Sequence, residues 1–338
     1  MPNLLDQTNF RSLAESVEIL KEPNDFLGKM CFPRIEEFAT SAVDFDVFEQ
    51  SRKVLAYVSR QVEGSYVSKQ GFSTNTVTPP YLKPKFSVTA SDVEKRLAGR
   101  PLYIDNGSDL SDEFAEYLSK RIYNELEVLM RRTIMTQQAD AAKNGSVTAL
   151  NAAGGVEYTV NYQRDSSLNA TGVSDFTSDP LALMRARSAI MSKLAGKRGA
   201  HVVLGATALD AFRVHAKVTG ALSKDWSSRG QLGYTPDSLG AAWVGVADGV
   251  NYWYLEDWYV DSTGTLVPVV GDKYALMFGE GVGAMYYGGL ELLENRRAAR
   301  GLKTWAENDP DGQVIQLHSA PLAVTTHRNG FAYFQVIA

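Results

Sequence analysis

Apolar and polar positions keep several different rhythms along this chain, and each predicts a different element. In residues 1–51 short apolar pairs mix with charges; Leu13, Val17 and Leu20 share helical spacing, and Pro23 and Pro33 break the chain beyond them. This predicts an N-terminal arm with a short helix, too poor in core residues to stand alone and therefore lying on another surface. Residues 52–89 predict a long hairpin. Val54, Ala56, Val58 and Val62 alternate in part, the middle from Gly64 to Thr78 is polar, and the return limb carries Pro79, Pro80 and Pro84. Proline removes a ladder donor, so this limb is expected at a sheet edge or as an exposed extension. A hairpin with so few apolar residues at its tip needs docking elsewhere, a neighbouring subunit being one option.

Residues 111–144 give the clearest pattern. Ser111 is a suitable N-cap, Asp112 and Glu113 sit where the helix dipole favours carboxylates, and Phe114, Leu118, Ile122, Leu126 and Leu129 form one apolar stripe. Asn144-Gly145 supplies a left-handed C-cap. The implied helix of roughly 30 residues would span about 45 Å and act as a spine. Residues 145–179 read as a loop-heavy connection with a strand around Val156 to Val160. A helix over 180–196 begins with Pro180 at its first position, His201 to Leu204 reads as a buried strand, and Thr207 to Val218 is helical again. Residues 220–240 read as an exposed polar loop, and 241–294 alternate aromatics and glycines in the manner of strands and turns. Further strands are expected at Val314 to Leu317 and Leu322 to Thr326; Arg328-Asn329-Gly330 then reads as a hairpin turn into Phe331 to Ile337. This order predicts an α+β class.

Composition narrows the function classes. The chain has 338 residues, 44% of them hydrophobic, enough for one large or two medium domains. The net charge of -5 argues against a protein whose main task is gripping nucleic acid, since such proteins usually carry a basic face. If the chain surrounds DNA, the contact is loose containment. Cys31 is the single cysteine, so no intrachain disulfide forms; it reads as a small buried apolar residue. The N-terminus shows no signal peptide and no stretch approaches a membrane span, so a soluble protein made in a reducing cytoplasm is expected.

Candidate chemistry is sparse. His201, His215, His318 and His327 have no partners at metal-ligand spacing and read as satisfied core or surface histidines. Asp105 to Asp109 resembles the start of a calcium loop without the terminal bidentate Glu, and a turn explains it better. Leu204-Gly205-Ala206-Thr207 joins a strand to a helix, where a phosphate could bind, but matches no phosphate-binding fingerprint; a tight turn is the simpler reading. Gly279 to Gly283 marks turns, and the aromatics at 252–259 lack the basic interleaving of a base-stacking surface. Glu294, Arg296, Arg297 and Arg300 form either a solvated face or inter-subunit ion pairs. No catalytic, cofactor or metal site is predicted, and the chain reads as a non-enzyme.

Two segments resemble the phage lambda major capsid protein family. The first is Tyr57-Val58-Ser59, Val62, Gly64, Gly71, Ser73-Thr74, Thr78-Pro79, Tyr81 and Lys83-Pro84-Lys85. The second runs from Ala299-Arg300 through Lys303, Trp305 and Asp309-Pro310 to Gln316, Ser319-Ala320-Pro321-Leu322 and Phe331. The resemblance implies a Hong Kong 97 phage capsid-type fold, with residues 1–51 as N-arm and 52–89 as the extended E-loop. A peripheral domain would span 90–175 with its spine helix at 111–144, an axial domain 176–295, and a C-terminal return to the peripheral sheet 296–338. It further implies a major capsid protein of a tailed bacteriophage, forming pentamers and hexamers of a shell around double-stranded DNA and assembled in the bacterial cytoplasm. Implied partners are a separate scaffolding protein, a portal and, as an option, a decoration protein; DNA is enclosed without sequence-specific binding, and no membrane is involved. Expected inter-subunit contacts are Lys69, Gln70, Gly71, Phe72, Tyr81, Lys83 and Lys85 of the E-loop, and Lys224, Trp226 and Arg229 of a loop at the capsomer axis. Gly64 and Gly99 would be hinges, and Lys69 and Asn329 are the residue types of a Lys–Asn crosslink, with no motif supporting it. The alternatives are an encapsulin-like nanocompartment shell and an α+β enzyme with dispersed carboxylates.

Overall fold

The apolar runs at 201–204 and 274–278 are continuous because their strands lie in a sheet buried on both faces. A computed structural model describes residues 25–48, 72–89, 126–150, 154–169, 178–219, 230–236, 241–260, 264–292, 296–308 and 311–337, with Val54, Tyr57 and Phe176 besides. In chain order the elements are α1 (Phe26–Cys31), β1 (Arg34–Glu37), β2 (Val43–Phe48), β3 (Phe72–Val77), β4 (Lys85–Thr89), α2 (Val128–Asn144), β5 (Ser146–Leu150), β6 (Val156–Asn161), a 3-10 turn (Ser166–Leu168), α3 (Pro180–Ala195), β7 (His201–Leu204), α4 (Ala206–Val214), β8 (Gly230–Pro236), β9 (Ala241–Ala247), β10 (Val250–Leu255), β11 (Trp258–Val260), β12 (Leu266–Pro268), β13 (Tyr274–Phe278), β14 (Ala284–Tyr287), β15 (Gly301–Asn308), β16 (Asp311–His318), β17 (Pro321–Val324) and β18 (Phe331–Gln335). The class is mixed α and β, as the sequence predicts. Among the described residues no helix is long and apolar enough to cross a membrane.

The six-stranded sheet has the order β18-β13-β7-β10-β9-β8. Alternation along each strand sends side chains to two cores. Val203, Leu276, Phe278 and Phe331 face the larger core, which also holds residues of α1, α2, β14 and β17. Val202, Leu204, Ala275, Met277 and Phe334 face the other, closed by Met184 and Met191 of α3 and Leu209 and Phe212 of α4. Helix α3 starts as its sequence requires: Asp179 Oδ1 accepts from the Ala182 N–H at 3.1 Å and Pro180 sits in the first turn. Helix α2 ends at Gly145, which adopts the predicted left-handed conformation at φ 68°.

Four expectations are corrected. The second half of the predicted arm is not laid on a foreign surface: Phe26, Leu27, Cys31 and Phe32 are buried in the larger core, and β1 pairs in parallel with β14. Its apolar residues fall on one short helix face, which local density along the sequence does not reveal. In α2, entered through a wide, π-type turn at Leu126 and Glu127, Leu126 is buried but the stripe continues at i+4 and passes over Leu129. Leu129 is thereby 57% exposed, while Met130 and Ile134 take the core positions. Residues 230–236, read as loop, form the edge strand β8. Finally, Asn329-Gly330 does not close a hairpin: β17 pairs with β14, whereas β18 pairs with β13 and edges the six-stranded sheet. The turn therefore joins two sheets, and along β18 Phe331 and Phe334 face the two different cores.

Candidate functional site

The sequence draws attention to the extension around residues 52–89, and its base is a built site. Strands β2 and β3 pair antiparallel from Val43↔Val77 to Phe48↔Phe72 and form a ribbon with no third strand among the described residues. The outgoing leg therefore starts earlier than the alternation of Val54 to Val62 predicts. Val54 and Tyr57, beyond the far end of β2, are 92% and 104% exposed. Val43, at the near end, is buried, which plants one foot of the ribbon in the core.

The second foot is residues 78–84. Prolines 79, 80 and 84 keep this stretch extended and deprive it of donors, so its remaining polar groups are matched individually. The Tyr158 hydroxyl donates to the Thr78 carbonyl at 2.6 Å. Leu82 and Ser319 exchange both backbone hydrogen bonds, at 2.8 and 3.1 Å. The Leu317 N–H donates to the Pro84 carbonyl at 3.0 Å, and β4 then runs along β16 as an outer strand, from Lys85↔Gln316 to Thr89↔Gly312. The edge position expected from the prolines is the one observed.

Four side chains cluster at this foot. The Tyr81 hydroxyl lies 3.0 Å from His318 Nδ1 and accepts from the Glu291 N–H at 2.9 Å. Lys83 pairs with the Glu291 carboxylate and stands 4.7 Å over the Tyr81 ring. His318 is buried at 4% exposure and its Nε2 has no hydrogen-bond partner among the described residues. Burial holds the His318 pKa below the ordinary histidine value, and Lys83 and Lys303 push in the same direction. The hydrogen bond from Lys83 draws the Glu291 carboxyl down and raises the Lys83 ammonium. Burial raises the Tyr81 phenol. Glu291 and His318 lie more than 200 positions from Tyr81, and no local motif marks them.

A second clasp sits just before β15. Arg300 pairs with Glu127 at the wide turn before α2, and Arg131 holds the same carboxylate at 2.8 Å. Glu127 is buried, and Arg297 donates to the Glu37 carbonyl at 3.1 Å. Arg297 and Arg300 thus make contacts inside the subunit. The structure brings Tyr81 and Lys83 together, leaves the Lys85 side chain exposed, and pairs the Phe72 backbone with Phe48. Lys69, Gln70, Gly71, Lys224, Trp226 and Arg229, and the hinge candidates Gly64 and Gly99, lie outside the described residues. Asn329 is buried and its Oδ1 accepts from the Asp165 N–H at 3.0 Å, an environment unlike that of a surface crosslink. Gly205 abuts the carbonyls of Gly271 and Asp272, and the Ala208 N–H donates to the Asp272 carbonyl, so backbone fills the start of α4 where a phosphate would have to sit. Among the described residues no cluster of His, Cys, Asp or Glu is arranged to hold a metal ion.

The ribbon has both feet fixed and no third strand among the described residues. The model of the phage major capsid protein E family matches residues 9–336. The chain belongs to that family. Its structure is similar to that of a putative capsid protein of a prophage of E. coli CFT073, with TM-score 0.68, 15% identity and coverage of 97% of this chain and 99% of the other. It is also similar to a phage-related protein from Bordetella bronchiseptica RB50, with TM-score 0.54, 12% identity and 96% of each chain covered. The encapsulin of Synechococcus elongatus PCC 7942 aligns with TM-score 0.44 and 9% identity over 90% of this chain and 85% of that one. A search of curated protein sequences returned no match. The fold is the Hong Kong 97 phage capsid type, and the protein is a major capsid protein, a structural component of the virion shell built from many copies.

Proposed function

We propose that this capsid protein closes into pentamers and hexamers around packaged double-stranded DNA, and that its ribbon is the reaching element. The observation that carries this reading is the β2–β3 pair: two strands, anchored at Val43 and at 78–84, with no third strand among the described residues. A lone two-stranded ribbon is marginally stable in water, so it gains order by lying on a neighbouring copy and offering its edges for strand pairing. Obligate contacts of this kind commonly bury over ~2,000 Å². On this reading residues 69–72 contact the neighbour, while Tyr81 and Lys83 serve as the anchor. The loop holding Lys224, Trp226 and Arg229 takes the position near the capsomer axis, and assembly in the host cytoplasm involves a scaffolding protein, a portal and room for a decoration protein. The net charge of -5 fits containment of DNA without tight binding.

Deleting Tyr66 to Asn75 tests the reading. The expected product is a folded subunit that makes no stable shells, seen by gel filtration and negative-stain microscopy. Normal closed particles from the deleted chain would overturn it.

A further inference from the structure

The foot of the ribbon contains a titratable group with no role in the assembly reading. His318 ends β16, is buried, and presents Nδ1 to the Tyr81 hydroxyl at 3.0 Å. Tyr81 already accepts from the Glu291 N–H, so its own proton is free to point at Nδ1. That arrangement needs the neutral tautomer with the proton on Nε2, the nitrogen that has no hydrogen-bond partner among the described residues. The charged groups around the imidazole are Lys83 from the 78–84 segment, Lys303 from β15 and Glu291 from the turn after β14. Two of the three are cations, and the lone carboxylate is engaged by Lys83.

We propose that His318 is a proton-sensitive latch on the second foot of the ribbon: when neutral it accepts from Tyr81 and holds residues 81–84 against β16, and when protonated it releases them. The second proton lands on Nδ1, the atom facing Tyr81, and turns an acceptor into a donor. The phenol proton then loses its acceptor, and a new buried positive charge stands beside Lys83 and Lys303. The bonds that share this foot are the Leu82–Ser319 pair and Leu317 to Pro84, so loss of the Tyr81 contact loosens a connected set. The sign comes from the depressed imidazole. An unfolded histidine takes its proton near ~6.5, the folded one only at lower pH, so the local fold is complete above that range and weakens as pH falls through it.

The latch belongs to the subunit itself and stands whether or not the ribbon reaches a neighbour. Hydrogen exchange of the full unassembled chain at about pH 7.5 and about pH 5.5, corrected for intrinsic rates, reads it directly. Amides of Leu82, Glu291, Leu317 and Ser319 are expected to exchange at least about fivefold faster at the lower pH, while those of β7 and β13 stay protected. His318→Asn keeps an acceptor without titrating and should exchange slowly at both. Tyr81→Phe should exchange fast at both, which covers the case in which the first variant fails to fold. A wild type with no acid response, an equal response in either variant, or simultaneous opening of β7 and β13 would overturn the latch. Shell formation, imaged separately, reports on the assembly reading alone.

Discussion

Arg164 is half-buried at the end of α2 and acts as its cap. Its guanidinium donates to the carbonyls of Ala141 at 2.6 Å, Ala142 at 2.8 Å and Lys143 at 3.0 Å, in the last turn, where carbonyls run out of helical donors. No carboxylate pairs with it among the described residues; the Phe331 ring lies 5.7 Å away and Asn169 Oδ1 accepts at 3.1 Å. Burial pulls its pKa down to about 9, so it stays charged at neutral pH. Arg164→Met is expected to cost about 3 kcal/mol, read from urea unfolding of the unassembled chain, because three buried carbonyls lose a charged donor. Lysine should not rescue it, since one ammonium cannot span the same fan of acceptors. Nothing in the sequence marks Arg164, which sits in a polar stretch and finds its partners only when β6 turns back on α2.

At the scale of elements, Met130 and not Leu129 follows Leu126 into the core from α2. Leu129→Gln should change stability by less than about 0.5 kcal/mol, whereas Met130→Ala should cost about 2–4 kcal/mol. The reverse ranking in thermal or urea unfolding would restore the predicted stripe. Helix α3 offers a simpler case: Asp179→Ala removes both the cap on Ala182 and the pair with Lys217 at 2.9 Å, and should cost about 1 kcal/mol. The hydrogen bonds from Ala182 and then Lys217 hold the Asp179 carboxyl below its usual range, so this contribution is present near neutrality and fades as pH drops through the acid range. Elements with local signals are legible in the sequence: α3 from Pro180, the end of α2 from Gly145, β7 from its apolar run. The choice of Met130 over Leu129 is not, because both stand at helical spacing from Leu126. The partner of β18 is not either, because an Asn-Gly turn specifies a reversal without naming the sheet beyond it.

For the whole molecule, the six-stranded sheet is a partition shared by two cores. The capsid resemblance rests on the E-loop and C-terminal segments, and those segments meet in space: β4, next to the first, pairs with β16 of the second. What the sequence could not supply is the company of Tyr81, since Glu291 and His318 join it only through the pairing of distant strands. Trp226→Ala should lower capsomer yield without changing unfolding of the free subunit; unchanged assembly kinetics would dismiss the proposed role at the axis. The two planted feet of the ribbon have a mechanical meaning as well. Because Val43 and residues 78–84 are seated separately, a load applied at the far end is divided between two roots and cannot peel one leg away before the other. If the ribbon lies on a neighbouring copy as proposed, both roots would carry its tension in parallel.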